Sequence, residues 1–151
     1  MRSSDVTLIA DIINEYTKQT NKPKFYAALN CSEFSRRWII NKIIEKEKII
    51  VIETDNNNID FLLLCNGCQC YECSQNWLNT YIPKLLDNGL LIVYSINRWH
   101  NSSFKFNQHN NTRRTRRLDA VLDLLTTFEM VTQTIDTIVL KKIGVTHAKE
   151  T

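Results

Sequence analysis

Apolar positions along this chain follow two periods, one helical and one typical of buried strands. Leu8, Ile9, Ile12, Ile13 and Tyr16 recur at helical spacing behind Ser3 and Ser4, which offer a cap, and predict a helix from Ser4 to Lys18. A polar linker, Gln19 to Lys22, leads to Pro23, after which Lys24–Leu29 (KFYAAL) reads as a buried strand. Ser32 can cap a second helix, with Phe34, Trp38, Ile39 and Ile43 on its inner face. Lys48–Glu53 (KIIVIE), Ile59–Leu64 (IDFLLL) and Leu90–Ile96 (LLIVYSI) are short, nearly all-apolar runs, the composition of strands covered on both faces. Between the last two, Ser74–Leu86 is helical, with Pro83 set to kink it and Asn88-Gly89 to stop it. Asn97–Thr112 is polar and loop-like, and Leu118, Val121, Leu122 and Leu125 mark a last helix. Phe128–Thr132 and Thr137–Lys141 read as two strands joined by a short turn, and the residues from Gly144 as a frayed tail.

This order predicts an α/β fold: a three-layer sheet, mostly parallel, closed by an antiparallel C-terminal hairpin. At 151 residues one domain is expected over 1–151, with helix and linker at 1–22 and a tail at 144–151. A hydrophobic fraction of 43% excludes a disordered chain. With only 3 Gly and 2 Pro, tight turns fall to Asn and Asp, which tolerate left-handed backbone. No apolar run approaches the ~20 residues needed to span a bilayer, so no membrane partner is expected. Asp5, Asp11 and Glu15 break up the N-terminal apolar residues, which are not a signal peptide. Four of the five cysteines lie within nine residues, unlike a secreted disulfide framework. The protein is read as intracellular, in the cytoplasm, with reduced thiols. A net charge of +3 permits an acidic partner without demanding one.

Residues 59–96 read IDFLLLCNGCQCYECSQNWLNTYIPKLLDNGLLIVYSI. Ile59, Asp60, Gly67, Tyr71, Glu72, Pro83, Leu85 and Gly89 match, in order and spacing, a pattern of the kind IDLLFIDGDHSYE…PLLKPGGLIVFHD. This segment resembles the O-methyltransferase branch of the class I S-adenosylmethionine-dependent methyltransferases. Phe128–Val131 and Ile138–Lys141 are similar to that family's last two strands, so the resemblance covers roughly residues 24–142. It implies a Rossmann-like sheet, shortened or rearranged, and S-adenosylmethionine as cofactor. The cofactor would lie at the C-terminal ends of the strands, against Asn30, Ser32, Glu53, Asp55, Asn66 and Gly67, with the acids Glu53 and Asp55 available for the ribose hydroxyls. Tyr71, Glu72, Trp99 and His100 fall where substrate or partner contacts are expected.

Several positions depart from the family. The glycine-rich turn after the first strand is Asn30-Cys31-Ser32-Glu33-Phe34, where Phe34 would crowd a ligand. The acids after the middle strand fall on Asn66 and Cys68, the histidine on Gln69, and the next His-Asp on about Ser95 and Ile96. A hard divalent cation wants carboxylate oxygens, so no metal is expected and methyl transfer would proceed without one. The same losses suit a catalytically inactive binding or assembly module taking a small molecule or protein. Only Asp55–Asn58 separates the strands KIIVIETD and IDFLLL, too short to return along a six-residue strand. Either these two strands form an antiparallel hairpin, or the sheet has been rearranged by deletion. A hairpin there would give the element order of the PD-(D/E)xK nucleases, with Asp60 and Glu72 as metal-binding acids, although Ser74 stands where a Lys is expected.

Two further clusters carry candidate chemistry. Cys65, Cys68, Cys70 and Cys73 follow the spacing CxxCxCxxC, which suggests zinc, but four ligands within nine residues make a cramped site. The plainer reading is core and loop filling. Arg113, Arg114, Arg116 and Arg117, with Lys105 nearby, offer guanidinium forks to a nucleic acid or phosphorylated partner, or simply solvate a helix start.

Overall fold

The computed structural model describes residues 1–52, 57–97 and 116–144. The long apolar period at the N-terminus gives α1 (Ser3–Thr20), closed by Asn21 in a left-handed conformation, φ 51°. Phe25–Asn30 forms β1. Ser32 caps α2 (Glu33–Asn41) by accepting the Ser35 N–H, as its position predicts. Ile49–Val51 forms β2 and Ile59–Leu64 forms β3, whose six residues are all buried. Then follow α3 (Tyr71–Tyr81), β4 (Leu85–Tyr94), α4 (Arg117–Leu122), β5 (Phe128–Gln133) and β6 (Thr137–Lys142).

These strands make one six-stranded sheet in the order β2-β1-β3-β4-β6-β5. The pairs β2/β1, β1/β3 and β3/β4 are parallel, whereas β4/β6 and β6/β5 are antiparallel. One face packs Phe61, Leu63 and Ile92 under α1 and α2 through Val6, Ile9, Ile13 and Ile39. The other packs Leu62, Leu64, Leu91 and Val93 under α3 and α4 through Leu78, Ala120 and Val121. The alternation of neighbouring residues between the two faces is what an all-apolar strand buried in a three-layer sheet requires.

Three expectations need correction. First, of the hairpin and the rearranged sheet left open for β2 and β3, the hairpin is not formed; the two strands lie on opposite sides of β1 and run parallel to it. A six-residue strand would be too long to return from, but β2 has 3 residues. The chain falls back only about 10 Å and steps across two strand spacings of about 5 Å each, well inside the reach of residues 52–58. As an edge strand β2 is half-buried, not covered on both faces. Second, the helix expected from Ser74 starts at Tyr71, capped by Cys70 Sγ, which accepts the Cys73 N–H at 3.3 Å. It ends at Tyr81, because Pro83 begins a short 3₁₀ turn over Ile82–Lys84. The next strand therefore starts at Leu85 rather than Leu90. Its irregular stretch turns at Asn88, φ 67°, and at Gly89, where a Cβ would stand 2.8 Å from the Leu86 carbonyl oxygen. Third, Phe34 is 74% exposed instead of facing inward, and meets Trp38 edge-on.

Candidate functional site

Parallel strands bring their C-terminal ends to one edge of the sheet, and there the end of β1 and the turn after β3 are joined. The Asn30 carbonyl, at the end of β1, accepts the N–H groups of both Cys65 and Asn66, at 2.8 and 2.9 Å. The turn after β3 is thereby tied to the end of β1. Gly67 sits in that turn with φ 87°, a conformation that side chains other than glycine's rarely adopt.

Arg117 holds this loop from inside. It is the first residue of α4 and is 0% exposed. Its Nη1 donates to the carbonyls of Tyr94 (2.7 Å) and Cys65 (3.1 Å). Its Nη2 donates to Asn66 (3.0 Å) and Cys68 (3.2 Å), and its Nε to Ser74 Oγ (3.3 Å). One planar guanidinium thus gathers the ends of β3 and β4, the loop between β3 and α3, and the first turn of α3. Among the described residues every one of these acceptors is neutral. Burial pulls its pKa below the usual arginine range, and the surrounding Cys65, Cys68, Cys70 and Cys73 thiols act in the opposite direction. The basic run is therefore not one surface: Arg117 is withdrawn into the core. Arg116 donates to Asn97 Oδ1 and stands 4.0 Å from Asp119, while Arg113 and Arg114 lie outside the described residues.

Beside this loop lies a cavity of about 370 Å³, lined by Ala28, Leu29 and Asn30 of β1, Arg36 of α2, Ile52, and Trp77 and Tyr81 of α3. The rings of Trp77 and Tyr81 are 4.6 Å apart at 31° and form one aromatic wall. The Arg36 Nε in the wall is buried and makes no hydrogen bond among the described residues. Cys31, next to Asn30, is half-buried, and burial first, then the neighbouring Cys65 thiol, pushes its own thiol up to about 11. A groove of about 450 Å³ runs on the α1 side between Tyr16, Met130 and Lys141, away from the strand ends.

Of the residues expected to hold a cofactor, Asn30 lines the cavity, Ser32 caps α2, and Asn66 and Gly67 occupy the tied turn. Glu53, Asp55, Trp99 and His100 lie outside the described residues. Ser95 and Ile96, which replace the family's His-Asp, are buried, Ser95 with φ 60°. Tyr71 and Glu72 open α3; the Tyr71 hydroxyl donates to Asp123 Oδ2 at 2.7 Å and accepts from Gln75 at 2.9 Å. Asp60 is far from Glu72, at the opposite end of β3, where it accepts from Lys22, the Tyr16 hydroxyl and the Tyr26 N–H. The structure thus separates the two acids that a nuclease site would pair. Trp77, Tyr81 and Arg36 were missed as site residues. The only signal was the i, i+4 spacing of the two aromatics, which core packing explains equally well.

No family model and no curated protein sequence matches the chain. Solved structures do. A protein from Corynebacterium glutamicum superposes with a TM-score of 0.62 at 10% identity, over 97% of this chain and 83% of that one. An O-methyltransferase from Bacillus cereus, in complex with S-adenosylhomocysteine, gives 0.56 at 8% identity over 95% and 82%. A putative caffeoyl-CoA O-methyltransferase from Staphylococcus aureus gives 0.55 at 13% over 91% and 83%. The fold is that of the class I methyltransferases. In this methyltransferase-like chain, the cavity and the tied loop stand at the edge where open parallel sheets bind ligands. No helix among the described residues is long and apolar enough to cross a membrane.

Proposed function

We propose that the protein binds S-adenosylmethionine at the C-terminal edge of its sheet and transfers a methyl group without a metal. The cavity between β1, α2 and α3 carries this reading. Its volume, about 370 Å³, lies within the range of small-molecule sites. The residues present fit an adenosyl ligand: Trp77 and Tyr81 offer an aromatic face to a purine, and the unfilled Arg36 Nε suits the carboxylate at the amino-acid end. Asn30 and Ser32, with Asn66 and Gly67 on the neighbouring turn, would border it, and Glu53 and Asp55 would meet the ribose. The bound cofactor supplies an activated methyl group, and the chain's own contribution is positioning. Isothermal titration tests this: S-adenosylmethionine and S-adenosylhomocysteine are expected to bind, and no heat at millimolar ligand would overturn it.

A second reading, a binding module of the same fold that transfers nothing, has one observation in its favour. No carboxylate, histidine or thiol lines the cavity among the described residues, so none there can take a proton. Labelled methyl incorporation into protein and small-molecule fractions of a cell extract separates the two: binding without incorporation supports the module.

A further inference from the structure

We propose that Cys68, Cys70 and Cys73 bind one zinc ion, with Arg117 as the buried counter-charge of the resulting thiolate cluster. This site does not depend on the adenosyl cavity. The three Sγ atoms all lie within 4.8 Å of one another. Around a zinc ion with bonds of about 2.3 Å, tetrahedral sulfurs stand about 3.8 Å apart, so the site closes with movements of about 1 Å.

The local backbone holds these sulfurs together. Cys68 follows Gly67 in the turn tied to Asn30, Cys70 caps α3, and Cys73 stands on the first turn of that helix. Four thiols within nine residues would crowd a single ion. Here Cys65, just past the end of β3, packs toward the α1 side of the sheet, leaving three thiols and a fourth position for water. Cys68 and Cys73 are partly exposed, so an ion can enter from solvent.

Charge supplies the second observation. Three thiolates on Zn²⁺ leave one net negative charge. Arg117, fully buried, donates to the carbonyls of Cys65, Asn66 and Cys68 in this same loop, and none of its acceptors among the described residues is charged. A buried cation without a charged partner is costly, and an anionic cluster beside it supplies the partner. The N-terminus of α3 favours negative charge at the same place. All-sulfur donors select a soft ion over magnesium or calcium.

The full-length chain should be loaded with zinc, desalted, and assayed for zinc content. Iodoacetamide labelling, mapped by mass spectrometry, should be run with and without the metal. The expected result is one zinc per chain, with the partly exposed Cys68 and Cys73 protected while Cys31 and Cys65 keep their labelling rates. A Cys68→Ser/Cys73→Ser variant should bind at least about 100-fold more weakly. Zinc content near zero, protection that omits Cys68 and Cys73, or wild-type affinity in the double variant would overturn the proposal. If circular dichroism shows that the double variant does not fold, the wild-type protection map decides alone.

Discussion

Two charged side chains are fully buried at opposite ends of the same sheet, Asp60 at the start of β3 and Arg117 beyond its end. Asp60 is matched. Its carboxylate accepts from the Lys22 ammonium, the Tyr16 hydroxyl and the Tyr26 N–H, so both charge and lone pairs are met. Burial, and then Asp60 itself, push the Tyr16 hydroxyl well above the usual tyrosine range and keep it a donor. Arg117 is solvated by four carbonyls and a hydroxyl, with no carboxylate among the described partners. The matched charge fastens α1 to the sheet and leaves nothing over for a ligand. The one-sided charge organises a loop at the edge where such sheets bind ligands.

The comparison can be broken by substitution. Arg117→Met removes the buried guanidinium that gathers five acceptors, two of them on the buried Tyr94 and Ser74, and should lower unfolding free energy by about 4 kcal/mol, read from the urea midpoint. A loss below about 1 kcal/mol would mean that water reaches those carbonyls. Asp60→Asn keeps an acceptor for the Tyr26 N–H, and Lys22 is partly exposed and can turn to water, so about 2 kcal/mol is expected. If Asp60→Asn proves the costlier change, the two ends have been assigned the wrong way round. The smallest effect is at Cys31. Its thiol, raised to about 11, should show an alkylation rate that climbs roughly tenfold per pH unit from pH 8 to 10. The folded chain holds this proton to higher pH than the unfolded chain, so the stability it contributes is present below pH 9.0 and lost as pH rises toward 11. A rate plateau near pH 9.0 would show an unburied thiol.

The interior of the fold was legible because burial forces composition. IDFLLL is apolar apart from Asp60 because β3 lies between two helical layers, and its bounds match the run residue for residue. The closing hairpin was legible too, since Phe128–Gln133 and Thr137–Lys142 differ from the expected strands by one residue each. The place of β2 was not: Ile49, Ile50, Val51 and Ile52 look fully covered, yet the strand sits at the edge, and sequence does not specify which neighbour a strand chooses. The start of α3 was missed because a cysteine sulfur caps it, where Ser, Thr, Asp or Asn are the usual signals. The family resemblance pointed to Asn30 and the Asn66-Gly67 turn, but not to the hydrogen bonds that tie one to the other. The burial of Arg117 was not, because Arg113–Arg117 reads as one solvated run and only the tertiary fold turns its last member inward.

The central claim is that ligands bind at the Arg117 end and not at the Asp60 end. It is tested most directly by titrating S-adenosylhomocysteine into the wild type, Trp77→Ala and Lys22→Met by calorimetry. Wild type and Lys22→Met should bind alike, and Trp77→Ala about tenfold or more weakly, the loss expected for a base–aromatic stack. Binding that ignores Trp77→Ala but disappears in a folded Lys22→Met variant, or no binding by the wild type at all, would contradict the account.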